Sequence, residues 1–124
     1  MQRRRGLIDP AAERFAAESR RPIVQHLADF RAALEARGNT AQHCEETYSQ
    51  ARKVIERCGA GSPADLTASA VQEALAALRG EGRSLDTCNH YLRSVKGFSR
   101  WLYRDKRTRH DALVSLKAYN AATD

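Results

Sequence analysis

The sequence predicts an all-α fold, in which four to five helices pack as a compact bundle. Apolar residues make up 42% of the 124 residues and aromatic residues only 6%. The apolar residues recur at helical spacing, and no alternating β-branched run reaches the length of a strand. Short turns join the helical segments, which is the arrangement of a bundle. The length suits one domain with a modest core.

The first predicted helix begins at Asp9 and Pro10. Asp9 can cap it, and proline is favoured in the first turn of a helix. The following segment carries Phe15 as its one large apolar residue. We therefore expect residues 1–21 to form an N-terminal extension with a loosely docked helix.

The next three helices have recognisable starts, stops and apolar stripes. Residues typical of helix starts precede them at Pro22, at Asn39 or Thr40, and at Thr67. The first two of these helices are predicted to end at Gly38 and Gly59. The predicted core positions are Ile23, Leu27, Phe30, Leu34, Cys44, Tyr48, Ala51, Val54, Ile55, Cys58, Val71, Leu75 and Leu78.

The fifth predicted helix follows the cap residue Ser84 and runs to about Arg104. At 100° per residue its apolar side chains gather on one side. These are Leu85, Cys88, Leu92, Val95, Ser99 and Leu102, flanked by Tyr91 and Phe98. The opposite side carries Asp86, Arg93, Gly97, Arg100 and Arg104, with His90 and Lys96 at its edges. A short helix is predicted over residues 111–120.

The positive charge is concentrated in one segment. The net charge is +6, and residues 93–109 hold seven basic residues against one acid, Asp105. The whole imbalance therefore lies in this segment. We interpret residues 104–110, which overlap its end, as an exposed basic tail. Such a patch is typical of a nucleic-acid binder. The alternative from charge alone is a solvated, solubilising run.

Nothing in the sequence predicts catalysis by this chain. A nucleophilic enzyme needs a nucleophile, a base and an orienting group, and no such set is present. Neighbouring carboxylates at Glu45 and Glu46 diverge on a helix, so they do not form an acid–base pair. His90 and Arg93 lie on adjacent turns, where they could hold a phosphate together.

Cysteine and hydropathy patterns exclude several classes of protein. Cys44, Cys58 and Cys88 are interpreted as buried free thiols. The four histidines form no metal-ligand spacing with them, so no metal or other cofactor is expected. No apolar run reaches the length of a membrane span, and no apolar stretch follows the basic start as in a signal peptide. We expect a soluble cytoplasmic protein with no membrane partner and no small-molecule ligand.

Residues 65–107 resemble the N-terminal core-binding domain of tyrosine recombinases, the phage-type integrases. The matching residues are Thr87, Asn89, Lys96, Phe98, Trp101 and Leu102. The segment 38–58 is similar to the family's second helix, and residues 111–116 look like its Asn-Pro-Leu segment, with Asp111 and Ala112 in place of Asn and Pro. The resemblance covers roughly residues 22–120 and implies a SAM-like helical bundle of bacterial or phage type.

The resemblance implies a domain that clamps double-stranded DNA beside other recombinase protomers. Residues 22–110 would be the core-binding domain and residues 111–124 the start of a linker to a catalytic domain that this chain lacks. The chain would then bind DNA without cutting it. The pair His90 and Arg93 would not be the family's catalytic H-x-x-R, which belongs to that other domain.

The resemblance also implies which side chains meet DNA. The helix starting near Thr40 and the basic face of helix 84–104 would face the duplex. The implied DNA-binding residues are Asn39, Thr40, His43, Thr47, Thr87, His90, Arg93, Ser94, Lys96, Gly97, Arg100 and Arg104. Glu45 and Glu46 should then point away from the phosphates or contact a neighbouring protomer. Two alternatives stay open, a SAM-like protein-interaction module and a stand-alone helical transcription regulator.

Overall fold

The computed structural model describes residues 9–120 and shows an all-α fold, as the sequence predicts. Its described part contains five α-helices, one short 3-10 helix and no strand. The elements are α1 (Pro10–Arg20), α2 (Ile23–Ala36), α3 (Ala41–Cys58), the 3-10 helix (Pro63–Asp65), α4 (Ala68–Gly80) and α5 (Leu85–Arg104). Within this part of the chain, no helix is both long and apolar enough to cross a membrane.

Helix α3 lies at the centre of the bundle and packs against α2, α4 and, most extensively, α5. The predicted core positions of α2, α3 and α4 are buried, except Tyr48 and Cys58, which are half-buried. Phe30 of α2 contacts two aromatic side chains of α5, with ring centroids 5.4 Å from Phe98 and 5.5 Å from Trp101. This aromatic cluster fixes α2 across the C-terminal half of α5.

The predicted N-caps are confirmed. The hydroxyl oxygens of Thr40, Thr67 and Ser84 each accept a hydrogen bond from the backbone N–H three residues further on. These bonds satisfy amides that a helix leaves unpaired at its start. Helix α5 is the longest helix, at 20 residues, and Gly97 does not interrupt it. The apolar face and the basic face of α5 are therefore continuous along the whole helix.

Four of the five α-helices end at a residue with left-handed backbone. Three of these residues are Gly38, Gly59 and Gly82, but at the end of α5 the residue is Lys106, with φ of 61°. The amides of Lys106 and Arg107 donate to the carbonyls of Tyr103 and Leu102, which is the Schellman arrangement. A lysine in this region is strained because its Cβ crowds the backbone.

We expect Lys106→Gly to stabilise the fold by about 0.5–1 kcal/mol, because glycine adopts this conformation without strain. Part of the gain is offset by the greater freedom of glycine in the unfolded chain. Urea unfolding measures the difference. Lys106→Ala removes the same charge and keeps the strain, so it is the matched control. Equal stabilities of the glycine and alanine variants would contradict this account.

The prediction of a helix over residues 111–120 is wrong. Residues 112–115 form a turn and residues 116–120 have no regular structure. The spacing of Leu113 and Leu116 suggested a helix. Both are instead buried because residues 111–120, which we call the strap, lie along α5. At one end of the strap the Ser99 hydroxyl donates to Asp111 at 2.6 Å. At the other end the Asn89 side chain donates to the Tyr119 carbonyl and accepts from the Tyr119 amide.

The three cysteines are free, as predicted. Cys44 and Cys88 are buried and Cys58 is half-buried. Burial raises the pKa of the Cys58 and Cys88 thiols. A raised pKa leaves less thiolate at neutral pH, so neither thiol is activated as a nucleophile.

Candidate nucleic-acid interface

A surface groove of about 480 Å³ runs between α3 and α5 and is bounded at one end by α2. We call it the α3–α5 groove. Its walls combine aromatic and aliphatic side chains from the core with polar side chains from the exposed faces of both helices. The lining residues are Phe30, Leu34, Arg37, His43, Glu46, Thr47, Gln50, His90, Arg93, Ser94, Gly97, Arg100, Trp101 and Arg104.

The groove is strongly basic. Four guanidinium groups line it, those of Arg37, Arg93, Arg100 and Arg104. Among residues 9–120 none of the four is paired with a carboxylate. Glu46 is the one acidic side chain in the lining, and its carboxylate accepts a hydrogen bond from Gln42, outside the groove, at 3.0 Å. The excess positive charge is thus directed at solvent, where an anionic partner could reach it.

Packing between α3 and α5 sets the shape of the groove. The buried Ser94 hydroxyl donates to Oε1 of Gln50 at 2.6 Å, which joins the two helices at the groove. One turn further along α5, Gly97 leaves open space, since an added Cβ would have no neighbour within 4 Å. Gly97 therefore leaves room in the groove beside the bond between Gln50 and Ser94.

Eight of the twelve implied DNA-binding residues meet in this groove. They are His43, Thr47, His90, Arg93, Ser94, Gly97, Arg100 and Arg104. Arg93 donates to Nδ1 of His90 at 3.3 Å, so these two side chains are neighbours as their spacing predicts. Ser94 is brought to the groove but is only 7% exposed, so it supports Gln50 rather than presenting its hydroxyl to solvent.

The other four implied residues lie outside the groove lining, each in a polar contact of the fold. The Asn39 amide donates to the Leu34 carbonyl, and Thr40 is the N-cap of α3. Thr87 accepts from the Ser84 hydroxyl, and Lys96 donates to the carbonyl of Leu116 in the strap. Lys96 also borders a shallow depression that it shares with Arg93 and Arg100.

Six residues of the groove lining were not assigned to DNA by the sequence analysis, and the ones that could contact it most readily are Arg37, Gln50 and Trp101. Arg37 follows the end of α2, and only the packing of α2 against α5 brings it beside the basic face. Gln50 lies two turns beyond His43 on α3, so helical periodicity was the one signal that could have included it. Glu45 lies outside the groove lining, as expected, and pairs with Arg31 of α2 at 2.6 Å. The expectation that Glu46 also points away is wrong, since Glu46 lines the groove.

The prediction that residues 104–110 form an exposed basic tail is wrong at Arg107. The Schellman turn at the end of α5 directs this side chain back onto the bundle, where it is 17% exposed. It donates to Asp29 at 2.7 Å and to Asp105 at 2.8 Å, and it lies 4.5 Å from the ring centroid of Trp101. Arg107 therefore holds α2 against α5 and is not part of the free basic surface.

Arg107 also fixes the protonation state of a buried histidine. Its guanidinium donates to Nδ1 of His26 at 3.1 Å, so that nitrogen is an acceptor, and Nε2 donates to the Glu18 carbonyl at 2.9 Å. The ring is fully buried. Burial lowers the pKa of His26 below its usual 6.5, and the positive charges of Arg21 and Arg107 lower the pKa further.

We expect the fold to lose stability as pH falls below about 6.5. A histidine with a lowered pKa binds fewer protons in the folded chain than in the unfolded chain. Its contribution is thus complete above the unfolded pKa and is lost as pH falls toward the folded one. The urea midpoint of the wild type should drop between pH 7 and 5.5, and the drop should be smaller in His26→Gln. Equal drops in both proteins would show that His26 is not the titrating group.

A second, apolar groove of about 400 Å³ lies between α1, the 3-10 helix and the turn after α5. Phe15, Pro63 and Leu66 are its main apolar residues, and Arg109 lies over the Phe15 ring at 4.8 Å from its centroid. Residues 9–120 contain no cluster of three or more histidine, cysteine or acidic side chains that could hold a metal ion. The described residues thus form a basic groove and an apolar groove at different places on the surface.

Comparison of the chain with protein-family models, with curated proteins and with solved structures gives no match.

Proposed function

We propose that this chain binds double-stranded DNA through the α3–α5 groove, as the core-binding domain of a tyrosine site-specific recombinase or integrase. The proposal combines the basic groove with the sequence resemblance at residues 65–107. In this function the chain clamps the duplex and contributes no catalytic residue. Strand cleavage would belong to a separate catalytic domain, and other protomers would bind the same DNA.

One observation carries the proposal: four arginines that have no acidic partner among residues 9–120 converge on one groove. Arg93, Arg100 and Arg104 come from one face of α5, and Arg37 joins them from the end of α2. By contrast, the guanidinium group of Arg107, which joins parts of the fold, is paired with the carboxylates of Asp29 and Asp105. Unpaired arginines in a row favour a polyanion, since each can bind phosphate oxygens with two N–H groups.

The salt dependence of binding tests this function. Neutralising about four to six phosphates predicts that log K falls against log salt with a slope of roughly −4 to −5. Fluorescence anisotropy of a labelled duplex between low and moderate salt measures the slope. A slope near zero would contradict an interaction based on phosphates.

A second candidate function, a protein-interaction module, is favoured by the apolar groove beneath α1. This groove has a floor of Phe15 and Leu66, and α1 itself contributes no buried residue to the core. A partner helix could therefore replace solvent there without unfolding the bundle. A module of this kind needs no duplex, so the same salt titration separates the two functions.

A further inference from the structure

The middle of the α3–α5 groove differs from its basic rim. Gly97 of α5 has open space above its Cα, and Thr47 and Gln50 of α3 line the groove with half-buried side chains. The bond between Gln50 and Ser94 fixes which turns of the two helices face each other. The result is a small open site, with a bare helix backbone on one side and neutral polar side chains on the other.

This site presents hydrogen-bond donors. Oε1 of Gln50 is occupied by the Ser94 hydroxyl, so the free hydrogen-bonding group of this amide is its NH2. Within residues 9–120 neither that NH2 nor the Thr47 hydroxyl has a hydrogen-bond partner. Both can donate into the groove. Arg93 and Arg100 lie one turn before and about one turn after Gly97 on α5 and bring positive charge to both sides of it.

The one opposing charge is Glu46, which also lines the groove. Its carboxylate is hydrogen-bonded to Gln42, one turn back along α3 and outside the groove lining. Glu46 is thus drawn toward the start of α3. A ligand with negatively charged oxygen atoms fits the remaining space best, since it accepts from both neutral donors and is attracted by both arginines.

We propose that this space is a seat for one phosphodiester group of the DNA backbone, bound above Gly97 by the Gln50 amide and the Thr47 hydroxyl between Arg93 and Arg100. This inference rests on the DNA-binding function proposed above. A concave groove between two helices can receive the sugar–phosphate backbone of a duplex, which protrudes, more readily than it can receive the edge of a base, which is stacked inside the duplex. Glycine is the residue that lets a phosphate approach the helix backbone closely. The seat positions the duplex without reading its sequence.

Gly97→Leu tests the seat by filling it. Leucine favours helix over glycine and no atom lies within 4 Å of the new Cβ, so the urea midpoint should not fall. We expect the affinity for a fixed duplex to drop at least about tenfold, because the phosphodiester loses its donors and its place. Gly80→Leu is the matched control, a helical glycine of α4 that also has open space and lies outside the groove. Binding by Gly97→Leu within twofold of the control would overturn the seat.

Gln50→Leu tests the donor. It removes the amide without changing the charge, so we expect a loss of about fivefold in affinity with an unchanged salt slope. It also removes the acceptor of the Ser94 hydroxyl. Ser94→Ala, which breaks the same bond but keeps the Gln50 NH2, should lose less affinity, and a urea melt of both variants checks that the fold is kept. Arg93→Ala, in contrast, should make the slope shallower by about 1. Gln72→Leu, an exposed glutamine of α4, serves as the control. Equal affinities of the Gln50 and Gln72 variants would overturn the role of Gln50.

The two proposals fail in different ways. If the wild-type chain shows no salt-sensitive binding to duplex, both are wrong. If it binds and Arg93→Ala weakens binding, but neither Gly97→Leu nor Gln50→Leu does, the groove binds DNA and the seat alone is wrong.

Discussion

Replacing Arg93 and Arg100 together by alanine is expected to reduce the affinity for duplex DNA at least about tenfold, since each lost charged contact costs about 1 kcal/mol or more. The salt slope should become shallower by about 2, because two phosphates are no longer neutralised. Both side chains are exposed and have no carboxylate partner within the described residues. Stability should therefore change by less than about 0.5 kcal/mol. Fluorescence anisotropy and a urea melt measure the two quantities.

Arg14→Ala plus Arg20→Ala is the matched control for this pair. Both arginines are exposed on α1, which contributes nothing to the α3–α5 groove. The control removes the same net charge from the molecule. If it weakens binding as much as the change at Arg93 and Arg100, the chain attracts DNA through its total charge and the groove has no special role.

Arg107→Ala is expected to destabilise the fold by about 2 kcal/mol, since it leaves the acceptor of a buried histidine unpaired and removes two ion-pair contacts. The neighbouring Arg109→Ala, which removes an exposed guanidinium, should cost less than about 1 kcal/mol. Arg107→Lys keeps the charge but loses the planar fork, so it should recover only part of the stability. Fluorescence of Trp101, which lies against Arg107, reports unfolding in urea. Equal stabilities of the two alanine variants would contradict the inward role of Arg107.

Much of the fold follows from local signals that act within one helix. Caps such as Thr40 and Ser84 and stops such as Gly59 determine helix ends through contacts a few residues away, so the sequence alone identifies them. The two faces of α5 follow from periodicity in the same way. The strap at 111–120 does not, because Leu113 and Leu116 are buried by α5 and by long-range bonds rather than by a helix of their own.

The candidate site depends on long-range packing and is only partly predictable. Arg93 and Arg100 could be chosen because they lie on the polar side of a strongly periodic helix. Arg37 could not, because it reaches the groove only through the way α2 packs on α5. Gln50 could have been included only by extending the periodicity of α3 two turns beyond His43. Arg107 was wrongly predicted to be exposed because the turn that directs it back onto the bundle has a lysine, Lys106, at its left-handed position. A glycine, the usual residue there, would have indicated the turn in the sequence.

The most direct test of the central claim is to map the DNA-contacting surface by ¹H–¹⁵N NMR during titration with a short duplex. The account predicts that backbone amides around Thr47, Gln50, Gly97 and Arg100 shift, with the side-chain amide of Gln50, while those of α4 stay unchanged. Raising the salt concentration should reverse the shifts. Shifts confined to the apolar groove between α1 and residues 107–112, or no shifts at low salt, would contradict binding of DNA in the α3–α5 groove.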